Sequence, residues 1–262
     1  MAEMFSSATA YEGYMGRWSA QLAPWFAEFV PIRDGGRVLD VGCGTGSMIG
    51  AVAERTRRTV IVGVDTAQPF LAFSRARFSD PRIAFARGSA GALPCPDGAF
   101  NQCLSLLVFQ LLPQVEPAAA EMRRVTRPGG TVAACAWDGK GLEMAAVLWD
   151  EAARLGLTAR GGAERKRSCS GEGQLAELWQ ETGLAAVEEA VLEIRTEFRC
   201  FDDYWLPLLG GVGPAGAYVA RLDPDQRDAL REALRRRLLG GHPDGPFSLN
   251  ARAWAVRGAV PG

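Results

Sequence analysis

The chain has 262 residues, enough for one sizeable α/β domain with insertions, and its 48% hydrophobic and 23% charged composition is that of an ordinary globular protein. A formal net charge of −1 argues against nucleic acid as the main partner, because neutralising phosphates needs a basic face. A single histidine and six scattered cysteines without a CxxC pair leave no metal-ligand spacing; residues 104–112, the longest apolar run, fall far short of the ~20 residues of a membrane helix, and no signal segment is read at the N-terminus. Expected, then, are reduced thiols, no metal, no membrane and a cytoplasmic location.

Residues 11–29 place Tyr14, Trp18, Leu22, Trp25, Phe26 and Phe29 at helical spacings, with Pro31 beyond them, and predict an amphipathic helix. Its opening, YEGYMGRWS, sets two tyrosines, a methionine and Arg17 beside Gly13 and Gly16, which marks it as a segment able to close over a ligand. From Arg37 onward strands alternate with helices. Strands are predicted at 38–41, 59–64, 83–87, 101–106 and 131–137, and helices at 47–55, 69–78 and 116–126. Such alternation means a parallel sheet with right-handed crossovers.

Beyond Trp137 the pattern loosens. Helices are expected over 142–155 and 174–182, on either side of a polar stretch at 156–173, followed by an alternating strand at 187–198 and an aromatic helix at 201–209. GGVGPAGAYV, 210–219, reads as a flexible turn. Asp223-Pro224 supplies an N-cap and first-turn proline for a helix through Leu239, on which Arg235, Arg236 and Arg237 are expected to pair with Asp228 and Glu232. The last strand is 247–256. Residues 1–262 thus form one domain, a Rossmann-like, seven-stranded, mostly parallel sheet with helices on both faces and two cap insertions at about 138–173 and 200–245.

The segment VLDVGCGTG, 38–46, is a buried strand running into three alternate glycines, Gly42, Gly44 and Gly46, where something approaches the backbone closely. Asp65 ends the second strand. A carboxylate there can accept both hydroxyls of a ribose while the glycine turn lets the rest of the ligand lie against backbone. A nicotinamide cofactor fits this frame as well, although the dinucleotide fingerprint needs glycine three residues after Gly44, where Ser47 stands.

Four stretches in this order, VLDVGCGTG, GVD (63–65), GSAGALPCPDGAFN (88–101) and RVTRPGG (124–130), are similar to the motifs of the class I S-adenosylmethionine-dependent methyltransferases. Within them the chain resembles the small-molecule, ubiquinone-biosynthesis-like branch (methyltransferase type 11). The resemblance runs from about Tyr11 to Trp137. It implies S-adenosyl-L-methionine as cofactor, with Asp40, Gly42, Gly44 and Gly46 at the methionyl end, Asp65 on the ribose and Thr66 beside the adenosine. Ser89 and Ala90 would line the adenine edge and Leu106 would lie near the sulfonium. Ser89 and Asn101 depart from the family pattern, which has Asp at both places. Arg17 and Tyr14 are added here, because a carboxylate needs a cation and an aromatic ring is favourable beside a sulfonium.

Methyl transfer by in-line displacement asks mainly for placement in a dry pocket, and a base only where the nucleophile carries a proton. Candidate catalytic residues are His242, the sole histidine, with Gln110 and Tyr204; Trp137, Glu143 and Trp205 could also face an acceptor. The N/D-P-P-Y/F turn of adenine and glutamine N-methyltransferases is replaced by Leu106, Leu107, Val108 and Phe109, which favours a small organic acceptor. Two alternatives stay open, an NAD(P)-dependent oxidoreductase and a cofactor-binding module without catalysis. Trp254, expected to be exposed on the last strand, would mark a homodimer interface.

Overall fold

The apolar run after Arg37 forms β1 (Arg37–Val41), whose last four residues are all buried. In the computed structural model, which describes residues 5–157 and 169–262, β1 lies inside a seven-stranded sheet. The other strands are β2 (Val60–Asp65), β3 (Ile83–Arg87), β4 (Phe100–Leu106), β5 (Thr126–Leu142), β6 (Ala185–Phe198) and β7 (Phe247–Ala259), in the order β3-β2-β1-β4-β5-β7-β6. The first five strands run parallel, and β7 pairs antiparallel with both β5 and β6. Strand order reverses between β1 and β4, which opens a ligand crevice outside their carboxyl ends.

The N-terminal helix begins earlier than its hydrophobic spacing predicts. It comprises α1 (Ala8–Tyr11), a π-helical turn (Glu12–Gly16) and α2 (Arg17–Phe29), which buries Trp18, Leu22 and Phe26 on one stripe. The crossover helices α3 (Ser47–Arg55), α4 (Gln68–Arg77) and α5 (Glu116–Val125) fall within a residue of the predicted limits. Asn101, where the family pattern has Asp, accepts the Arg37 backbone N–H through Oδ1 at 2.9 Å and so ties β4 to the start of β1.

Helix α6 (Glu143–Arg154) follows β5, and α7 (Gln174–Glu181) precedes β6. Most of the polar stretch predicted at 156–173 lies at 158–168, outside the described residues. Between β6 and β7 stand α8 (Phe201–Trp205), a 3-10 turn (Leu206–Gly210), α9 (Gly213–Arg221) and α10 (Pro224–Leu239). Helix α10 opens with a full capping box, Asp223 accepting from the Gln226 N–H.

Three expectations fail here. GGVGPAGAYV is no flexible turn: Pro214 sits in the first turn of α9, where its missing N–H is harmless, and Ala215 and Val219 are buried. The arginine run pairs across elements and not along its helix. Arg235 reaches Asp244 at 3.1 Å, and Arg237 reaches Glu151 at 3.3 Å and Asp150 at 3.4 Å on α6. Trp254 is buried between β5 and β6, beneath the guanidinium of Arg252, so it marks no interface. Among the described residues no helix is long and apolar enough to cross a membrane.

Candidate active site

All three glycines after β1 take left-handed backbone, at φ +72° for Gly42, +52° for Gly44 and +92° for Gly46, which alone selects against side chains. Packing adds a different reason at each. A Cβ on Gly42 would run into the methyls of Val108, and one on Gly46 into the Phe78 ring. Above Gly44 the space is open, with the Phe70 ring 3.8 Å away as the nearest side chain. The turn is held from below by the Ser74 hydroxyl, which donates to the Gly44 carbonyl at 2.8 Å. Arg77 donates to the Thr45 carbonyl at 3.3 Å and pairs with Glu12 at 3.7 Å, linking the turn to the N-terminal segment.

Under this turn lies Asp40, 1% exposed, and neither of its carboxylate oxygens has a hydrogen-bond partner among the described residues. Burial, and then the charge of Asp65, push its pKa up to about 8. Asp65 is better provided for: Oδ2 accepts the Gly44 N–H at 2.9 Å and Oδ1 the Ala67 N–H at 2.8 Å. Burial still raises its pKa, because the backbone bonds from Ala67, Gly44 and Thr66 offset only part of the desolvation. A strand end with two acidic groups, one of them orphaned, has room for a cation and for hydroxyl donors.

The remaining residues singled out for a cofactor follow the same carboxyl edge. Thr66 is exposed just after β2, Ser89 and Ala90 stand on the loop after β3, and Leu106 is buried at the end of β4. Leu107 comes next, with φ +63°, a left-handed conformation that costs a leucine about 1–2 kcal/mol. Its N–H donates to the Cys135 carbonyl at 2.7 Å, so β5 holds it there.

Beside this edge is a cavity of about 260 Å³, between the ends of β4 and β5 and the helices α6 and α9. Of the residues expected to face an acceptor, Gln110 and Trp137 line it, and the Gln110 amide donates to the Leu107 carbonyl at 2.8 Å. Tyr14 lines it too. Leu107 is on the wall as well, and so are Trp149 and the Gly213–Ala215 end of α9, which were not foreseen. Trp149 carried only a helical spacing, and the α9 end was hidden by its glycines. Asp138 is the one acid among the described residues of this wall. Burial opposes its ionisation, but the Lys140 N–H and the Arg252 guanidinium hold it below the usual carboxylate range.

Other expected residues lie elsewhere. His242 is exposed on the turn that closes α10, its N–H donating to the Leu239 carbonyl, and does not line the cavity. Tyr204 is 1% exposed and donates to the Met144 carbonyl at 2.8 Å, which makes it a core tyrosine. Trp205 is buried likewise, and Glu143 is occupied with the Asn250 backbone and side chain. Arg17 turns away from the glycine turn. It pairs with Asp203 at 3.2 Å, donates to the Asp203 carbonyl at 3.0 Å and lies 4.2 Å over the Trp18 ring. An arginine at the start of a buried helix is drawn to the nearest acid and aromatic face, which here belong to α8 and α2.

Residues 39–134 match the model of the methyltransferase domain family. Over that stretch, less than half of its length, the chain is similar to a methyltransferase domain. Over 116 residues it is 34% identical to a fatty-acid O-methyltransferase of Mycolicibacterium smegmatis, covering 44% of this chain and 42% of that protein. A demethylmenaquinone methyltransferase of Thermus thermophilus is 38% identical over 97 residues, 36% of this chain and 44% of that one. The chain therefore spans under half the length of these two relatives. Among solved structures, one of a protein described as a type II methyltransferase from Anaeromyxobacter dehalogenans superposes with a TM-score of 0.64 at 24% identity, over 92% of this chain and 96% of that one. That likeness is one of fold. The match at 39–134 runs from β1 through the middle of β5, so it contains the glycine turn, Asp65 and the Ser89 loop but not the residues after Cys135 that help to enclose the cavity.

Proposed function

We propose that the chain is an S-adenosylmethionine-dependent methyltransferase that acts on a small organic acceptor. The observation that carries this is the orphaned Asp40 carboxylate beneath an open glycine turn in a domain of methyltransferase sequence. The donor set fits the cofactor. Asp40 would hold its ammonium group, Asp65 its ribose hydroxyls, and the Gly42–Gly46 backbone its methionyl end, with Thr66, Ser89, Ala90 and Leu106 along the rest. When bound, the cofactor supplies an electrophilic methyl on a sulfonium.

The chain's own contribution is then placement and exclusion of water. The walls supplied by 138–149 and by Gly213–Ala215 are the working parts of the two proposed cap insertions. None of the described cavity residues is a strong base: Gln110 does not titrate, the Tyr14 hydroxyl is pushed upward by burial, and Asp138 is held low. Rate enhancement accordingly rests on orientation. The near-neutral net charge supports a metabolite over a nucleic acid, and a cytoplasmic site of action belongs to the same reading.

Calorimetric titration with S-adenosylhomocysteine tests it. Saturable binding is expected, weakened at least about tenfold in Asp65→Ala, where a charge-assisted pair of hydrogen bonds is lost. No heat of binding, or equal affinity in the variant, would overturn the assignment.

A further inference from the structure

Resting on that reading, we propose that the acceptor is an uncharged, compact aromatic compound bearing an oxygen substituent, and that the Tyr14 hydroxyl is the group that recognises the oxygen. Size is the first ground. The cavity of about 260 Å³ has room for roughly nine waters at ~30 Å³ each, which is the scale of a one- or two-ring molecule. Its walls are the second. Trp137 and Trp149 supply aromatic lining and Leu107 apolar lining, surfaces that suit flat apolar ligands.

Charge is the third ground. Among the described residues that line the cavity there is no lysine, arginine or histidine. The single acid, Asp138, is engaged by the Arg252 Nε at 2.6 Å and the Lys140 N–H at 2.9 Å. A carboxylate or phosphate entering here would be desolvated with no counter-charge from the described side chains and beside a negative one. A free fatty acid, the class named for one relative, is therefore disfavoured in this chain.

The fourth ground is Tyr14 itself. It is 5% exposed and lines the cavity, and its hydroxyl has no hydrogen-bond partner among the described residues. The hydroxyl oxygen is not sealed in the core, so on the cavity wall it is open to a ligand atom. Gly213 lines the cavity beside it, the Tyr14 ring lying 3.9 Å from where a Cβ would stand. The contrast with the two cap tyrosines is informative. Tyr204 and Tyr218 donate to the backbone carbonyls of Met144 and Leu157, whereas Tyr14 has no such partner.

Equilibrium dialysis of the full chain at pH 7, with and without S-adenosylhomocysteine, tests this with four probes: 2-naphthol, 2-methylnaphthalene, 2-naphthoate and decanoate. The expected result is that 2-naphthol binds at least about tenfold more tightly than 2-naphthoate or decanoate, and about fivefold more tightly than 2-methylnaphthalene, which lacks the oxygen. In Tyr14→Phe the preference for naphthol over methylnaphthalene is expected to vanish while the rejection of the anions persists. Equal or tighter binding of either anion to the wild-type protein would overturn the proposal, whatever the variant does. So would a naphthol preference that survives Tyr14→Phe. Calorimetry with S-adenosylhomocysteine alone separates the two readings. Cofactor binding without naphthol binding removes only the acceptor class, and naphthol binding without cofactor binding removes only the methyl-donor assignment.

Discussion

Replacing Asp40 by asparagine keeps the shape of a protonated carboxyl but removes its titration, and the structure makes the consequence calculable. The carboxyl sits at about 8 in the folded protein against an ordinary value of 3.8. Because the folded pKa is raised, the proton is held more tightly in the native state than in the unfolded chain. Below about pH 4 both states are protonated and the carboxyl is neutral to stability. As pH climbs from 4 towards 8, the unfolded chain ionises and the buried carboxyl does not. The wild-type protein then loses about 1.4 kcal/mol per pH unit, a cost that levels off above the folded pKa. At pH 7 this reaches about 4 kcal/mol, so the Asp40→Asn apoprotein is expected to melt roughly 10 °C higher there and at the same temperature near pH 4. Cofactor binding runs the other way. An ammonium group needs the ionised carboxylate, so affinity for S-adenosylhomocysteine should rise up to about tenfold per pH unit until pH 8 in wild type and less steeply in Asp40→Asn, where only Asp65 of the two acids still titrates. Denaturant melts and calorimetry across pH 4–9 measure both. Stability curves that stay parallel for the two proteins across that range would refute the burial of an unpaired carboxyl at this strand end.

Other substitutions separate the roles assigned above. Gly44→Ala meets open space and should cost only about 1 kcal/mol in urea unfolding, through its left-handed backbone, yet lower S-adenosylhomocysteine affinity by filling the crevice; Gly42→Ala also strikes Val108 and should cost about 3 kcal/mol. Arg17→Ala should destabilise by about 1–3 kcal/mol through loss of the Asp203 pair and the Trp18 stack while leaving cofactor affinity within about twofold. A tenfold loss of affinity would return Arg17 to the cofactor. Tyr204→Phe should cost about 1 kcal/mol of stability and leave cofactor affinity unchanged, as suits a core hydroxyl bonded to backbone. His242→Ala, on an exposed turn, should shift unfolding by no more than about 0.5 kcal/mol.

The parallel half of the sheet was legible because each strand there is a short apolar run and each helix a 3.6-residue stripe, closed by glycine or proline. The glycine turn and Asp65 were legible for a related reason: a left-handed turn admits few residue types, and an acid at a strand end has few structural excuses. Arg17 and Tyr204 misled for the opposite reason. An arginine or tyrosine in an amphipathic segment carries no mark of which partner it will meet, and each found one far away in sequence, Asp203 for the first and Met144 for the second. Glycine also misled in 210–219, where a helix forms because Pro214 and the buried Ala215 and Val219 outweigh the weak local propensity.

By itself the sequence determined the α/β alternation, the three left-handed glycines and the two acids beside them, since backbone sterics and periodicity are local properties that a short window records. Tertiary structure alone decided that Asp40 is left without a partner among the described residues, that Leu107 is held in a strained conformation by β5, and that Tyr14, Trp137, Trp149 and Gly213 meet around one cavity. Those outcomes depend on contacts between elements far apart in the chain. Burial and the presence or absence of a partner are set only when the sheet, the N-terminal helix and the segments after β5 close on one another.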